Sequence, residues 1–156
     1  MRLGSKEITQ EAWNQARDIL GEPPQKVLVL GGARTSQCLK KEGYEPFSID
    51  TDVKYHDGKD YEYLVAPPKN GDWYNVNLVT EWLKGKNYKL IICDGPGSNR
   101  SGLYRNLDLF RDVPIILEDT WRRKIMSLSV DIAKKTGKTV TLHTGNGRID
   151  SWALIQ

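Results

Sequence analysis

Apolar runs in this chain repeatedly end in residue types that can bind or react. The run VLVL at residues 27–30 ends in Gly31 and Gly32, and EPFSID ends in Asp50, with Asp52 two residues on. A glycine pair lets backbone approach a ligand closely, and a helix starting just beyond it offers free N–H groups. A carboxylate at the end of the following strand can accept both hydroxyls of a ribose, so the two features, one helix apart, suit a nucleoside. KLIICDGPG then places Asp94 in an Asp-Gly-Pro-Gly turn, and VPIILEDT sets Glu118 and Asp119 at another strand end. Asp94 can act as a general base, or join Glu118 and Asp119 as donors to a divalent ion; no metal ligand is assigned. The plainer readings are a turn role for Asp94 and a helix cap for Asp119 or Thr120.

Positive charge converges on the same strand ends. Arg100 and Arg105 follow the Asp94 run, and Arg122, Arg123 and Lys124 follow the Glu118 run. Guanidinium groups there would suit a phosphate or carboxylate, whereas the bland alternative is solvated helix surface. His56, in a polar loop, and His143, at a strand end, are read as structural histidines. Trp73 and Tyr74 either cover a ligand or pack on a neighbouring helix. Cys38 and Cys93 fall in a helix and a core strand, which predicts buried thiols rather than a disulfide or metal site.

The elements that must position these residues follow from hydrophobic spacing. Ile8, Ala12, Trp13, Ala16, Ile19 and Leu20 form the stripe of an amphipathic helix that stops at Gly21. A second helix is predicted over residues 35–42, a third on Leu78, Val79, Trp82 and Leu83, a short stripe on Leu103, Leu107 and Phe110, and a longer one through Ile125, Leu128 and Ile132 to Gly137. Between them lie short apolar runs suited to strands buried on both faces, with YEYLVAPP as the third. TDVKYHDGKD reads as a polar loop without helical pattern. TVTLHT, a Gly-Asn-Gly turn at 145–147 and DSWALIQ read as a closing hairpin. Strands alternating with helices imply right-handed crossovers and a parallel sheet with an antiparallel end.

The segments VLVLGGARTS and SIDTD, followed by ICDGPGSNR and IILEDTWR, resemble in order and spacing the motifs of class I S-adenosylmethionine-dependent methyltransferases. The resemblance implies a three-layer, Rossmann-like α/β fold with a mostly parallel seven-stranded sheet and a C-terminal antiparallel hairpin. It also implies S-adenosylmethionine as cofactor. Leu30, Gly31, Gly32 and Ala33 would then line its methionine part, Asp50 would hold the ribose, Val65 and Ala66 would flank the adenine, and Asp94 would face the methyl. Asp94 and Arg122 are the catalytic candidates. Two positions depart from the family pattern: Val29 stands where an acid is usual, and Ala33 where a third glycine is. Val29 favours the alternative of a non-catalytic module that binds a nucleoside or protein; a third reading is an enzyme that cleaves the cofactor.

Composition bounds the rest. At 156 residues, with 38% hydrophobic residues, five Trp and seven Tyr, the chain has enough apolar material for one folding unit over 1–156 and too little length for two. A net charge of +3 from 23 basic and 20 acidic residues is a mixed surface, so nucleic acid is not expected. No run approaches the roughly 20 apolar residues of a membrane span, and MRLGSKEITQ lacks a signal peptide's apolar core, so the expected location is the cytoplasm. With no cap domain, recognition of a small-molecule or glycan acceptor, an anionic one by the arginines, falls to loops, to a second copy in a homo-oligomer, or to the acceptor's own bulk.

Overall fold

The apolar runs become one sheet. The computed structural model describes residues 8–56, 58–69, 73–97, 99–144 and 150–156. Strands β1 (Lys26–Leu30), β2 (Glu45–Asp50), β3 (Glu62–Val65), β4 (Leu90–Cys93), β5 (Ile115–Glu118), β6 (Val140–His143) and β7 (Trp152–Ile155) pair in the order β3-β2-β1-β4-β5-β7-β6. The first five run parallel; β7 lies antiparallel to β5 and β6, as the closing hairpin requires. The Gly-Asn-Gly turn itself lies outside the described residues, as do most of MRLGSKEITQ and Ser98.

Two layers of helix cover the sheet. Helices α1 (Gln10–Leu20) and α2 (Ala33–Lys41) bury Ala12, Trp13, Ala16, Leu20 and Leu39 against Val27, Val29, Ile92 and Ile116. On the opposite face, α3 (Val76–Leu83), α4 (Ser101–Arg105) and α5 (Arg123–Thr136) pack Val79, Leu103, Leu128 and Ile132 on Leu28, Leu30, Ile91 and Leu117. Each large apolar side chain taken from water in this way contributes about 2 kcal/mol. Val29, wholly buried among aliphatic neighbours, belongs to this core. Thr9 caps α1 by accepting from the Ala12 N–H (3.2 Å), Asn75 caps α3 from the Leu78 N–H (3.3 Å), and α5 stops at Gly137 in the left-handed region (φ 70°). Among the described residues no helix is long and apolar enough to cross a membrane.

Three local expectations change. The polar loop after β2 contains a 3-10 turn, Val53–Tyr55, which Asp52 caps by accepting from the Lys54 N–H at 3.0 Å. The single stripe expected after β4 is broken: α4 ends at Asn106, whose N–H is shared between the Gly102 and Leu103 carbonyls, and a 3-10 turn, Leu107–Leu109, follows. Neither cysteine is in a disulfide, and Cys93 is buried but Cys38 only partly so.

Candidate functional site

The strand order reverses between β1 and β4, and the carboxyl ends of strands at such a reversal are where open α/β sheets take ligands. On one side, the Gly31 N–H donates to the Ile49 carbonyl at 2.8 Å, which sets the glycine turn beside Asp50. The Ala66 N–H donates to the Asp50 carbonyl (2.8 Å) and Val65 is paired with Asp50, bringing the third strand's end alongside. Leu30, Gly31, Gly32, Ala33, Asp50, Val65 and Ala66 thus share one rim. Asp50 is 8% exposed; its Oδ1 accepts from the Thr51 N–H at 2.7 Å, and its Oδ2 stands 3.5 Å from His56 Nε2.

Both glycines are required by contact between two loops. Gly31 (φ 68°) would bring a Cβ within 2.7 Å of the Gly95 Cα. Gly32 (φ 76°) would bring one within 3.3 Å of the Asp94 Cβ and 3.4 Å of its Oδ2. The turn after β1 therefore lies directly against the turn after β4, with the Asp94 carboxyl at the glycine backbone.

Arg100 organises the other side. Its guanidinium is 3% exposed and donates to the Asp94 carbonyl (2.6 Å), the Glu118 carbonyl (2.7 Å) and Asp119 Oδ2 (2.8 Å), with Asp94 Oδ1 at 3.4 Å. This is a cross-brace between β4 and β5, so Arg100 is spent inside the protein rather than presented to an acceptor. The brace also puts a fixed cation between Asp94 and Asp119, where the sequence allowed an ion. Neither Asp119 nor Thr120 caps α5, whose N-cap is Arg122; Asp119 instead adopts φ 62°, a conformation rare for a side-chain-bearing residue, and turns its carboxylate to Arg100.

Burial shapes the acids. It pushes Asp94 up to about 6, with Arg100 pulling the other way and Asp119 adding like charge. It pushes Glu118 up to about 8, helped by the charges of Asp94 and Asp119. Outside this pair stands Trp121, 45% exposed, with its Nε1 3.4 Å from Asp119 Oδ1 and the Arg122 guanidinium 5.1 Å from its ring centre. Arg122 itself lies 4.0 Å from Asp119, at the mouth. Trp73 and Tyr74 are core residues: Trp73 fills the space beside Gly102, and the Tyr74 hydroxyl lies next to Gly95. His143 stacks flat on Trp152 at 3.8 Å.

Among the described residues, seven buried side-chain polar atoms lack a hydrogen-bond partner: His56 Nε2, Trp73 Nε1, Tyr74 Oη, Arg100 Nε, Glu118 Oε1, Ser151 Oγ and Trp152 Nε1. All seven belong to strand ends or loops on the carboxyl side of the sheet. Folded proteins pair nearly all such atoms, so their concentration at one end makes this rim the candidate site.

No family model matches the chain, and no curated protein matches it in sequence. Solved structures do match in shape. The METTL16 methyltransferase domain aligns with a TM-score of 0.60 at 14% identity over 93% of this chain and 79% of that one. Magnesium protoporphyrin IX methyltransferase from Synechocystis PCC 6803, with S-adenosylmethionine bound, aligns at 0.53 and 15% over 92% and 73%. The chain has the fold of class I methyltransferases. MycE methyltransferase from mycinamycin biosynthesis, in complex with Mg, S-adenosylhomocysteine and mycinamycin VI, aligns at 0.54 and 13% over 98% of this chain but 49% of that one, so the chain spans about half its length. The methyltransferase-fold sheet order and antiparallel end agree with the expected architecture throughout.

Trp121 is the residue that sequence reasoning passed over, and His56 was read there only as a structural histidine. His56 has no local signature; its partners are Asp50 at the end of β2, Tyr61 in the following connection and Tyr63 on β3. Trp121 had one usable signal, its position two residues beyond the strand-end acid Asp119.

Proposed function

We propose that the chain binds S-adenosylmethionine on the β1–β2–β3 side of the reversal and catalyses methyl transfer to an acceptor entering past Trp121 and Arg122. The observation that carries this reading is the cluster of unpartnered buried polar atoms at the carboxyl rim of a methyltransferase-type sheet. The residues present fit the cofactor. Asp50 keeps carboxylate lone pairs available for ribose hydroxyls, the backbone of Leu30, Gly31, Gly32 and Ala33 runs beside it, and the half-buried Val65 offers apolar surface for adenine, whereas Ala66 is wholly buried. The chemistry supplied when the cofactor is bound is an electrophilic methyl group.

The chain's own work is alignment and proton handling. Asp94, with a carboxyl that deprotonates at about 6, takes the proton of an acceptor hydroxyl or amine. Glu118 stays protonated at neutral pH and adds no further charge beside Asp94. Arg100 fixes the two strand ends so that the acids do not move apart. The interior is thus acidic, whereas Arg122, Arg123 and Lys124 line the exterior, which suits a small molecule or glycan whose nucleophile enters while an anionic part stays outside. The test is transfer of a labelled methyl group from S-adenosylmethionine into fractionated metabolites and glycans. Label appearing in one acceptor fraction supports transfer; label released without any acceptor supports cofactor cleavage instead.

A further inference from the structure

Resting on the nucleoside reading of this rim, the structure assigns to His56 a role of its own: we propose that it is the positioning residue that orients the Asp50 carboxylate for the two ribose hydroxyls. The ring is wholly buried, although it sits in a segment of polar composition. It stacks on Tyr63 at 4.8 Å and 14°, its Nδ1 is 2.9 Å from the Tyr61 hydroxyl, and its Nε2 faces Asp50 Oδ2 at 3.5 Å with no other partner. The Tyr61 oxygen also lies 3.3 Å from the Ala33 carbonyl, so the same assembly ties the β2–β3 connection to the helix start beyond the glycine turn.

Proton counting gives the consequence. The Tyr61 hydroxyl has one proton for two acceptors, Nδ1 at 2.9 Å and the Ala33 carbonyl at 3.3 Å; given to the nearer Nδ1, it leaves the His56 ring hydrogen on Nε2, on the side of the Asp50 carboxylate. Asp50 then has one oxygen held by the Thr51 N–H and the other faced by the His56 N–H. A carboxylate has about four acceptor positions, so about two stay open, matching the two O–H donors of a vicinal diol. His56 acts through Asp50 and need not touch the ligand.

The test is calorimetric binding of S-adenosylhomocysteine and its 2′-deoxy analogue. The unmodified protein should favour the ribose form by more than about tenfold, and His56→Phe, which keeps the stacked ring, should reduce that preference by about fivefold while binding the deoxy analogue nearly as before. Tyr61→Phe, which removes the hydroxyl that fixes the tautomer, should shift the preference the same way and carries the test alone if His56→Phe does not fold. An unchanged preference, or equal weakening toward both ligands, would overturn the positioning role while leaving the nucleoside site intact. Failure of the unmodified protein to bind either ligand would overturn both.

Discussion

A carboxyl buried at a strand end is cheaper to keep neutral than charged, and Glu118 is the clearest case here. Its folded pKa of about 8 lies above the ordinary 4.5, so the folded state holds a proton that the unfolded chain has released between those values. Stability is therefore undiminished below about pH 4.5 and falls as pH rises through the window to about 8. Glu118→Gln removes this penalty. Thermal unfolding should show the variant more stable by about 1–3 kcal/mol at pH 8.5, with the two curves meeting near pH 5; parallel curves would contradict the burial argument. Asp94 has the opposite functional sense, because a base works only when deprotonated. Transfer should rise with pH through about 6, and Asp94→Asn should lose about a hundredfold or more in turnover while keeping S-adenosylhomocysteine affinity within about threefold. Asp50 and Asp94 were legible in the sequence because each terminates an apolar run. His56 and Arg100 were legible only as residue types: what they do depends on partners brought together by strand pairing, and no local spacing encodes that.

Elements were easier to read than their joints. The strands declared themselves as short apolar runs, and the α1 and α5 stripes as 3.6-residue periodicity, because burial on one or both faces is written directly into composition. The 3-10 turn after Asp52 and the break at Asn106 were not, since both are set by individual hydrogen bonds. Two substitutions probe how the elements are fastened. Arg100→Leu removes the cation shared by the β4 and β5 ends and leaves Asp94 and Asp119 without it. Chemical denaturation should register a loss of about 3–5 kcal/mol, not restored by Arg100→Lys, which cannot reach three acceptors with a planar fork. Gly102→Ala would drive a methyl to 2.1 Å from the Trp73 ring, so α4 must shift. A destabilisation of about 1–3 kcal/mol with altered tryptophan fluorescence is expected, and a neutral result would show that α4 is not seated on Trp73 as described.

For the whole molecule, the reversal of strand order is what turns scattered residues into a site. Asp50 on β2, Gly31 after β1, Asp94 after β4 and Glu118 on β5 are up to 87 positions apart in sequence yet occupy adjacent strand ends. The central claim is that this rim holds a ribose-bearing adenine through Asp50. Its most direct test is isothermal titration of S-adenosylhomocysteine into the unmodified protein and Asp50→Ala, both checked for folding. Saturable binding that weakens by more than about tenfold in the variant is the expected result. No binding by the unmodified protein, or equal affinity in the two, would contradict it.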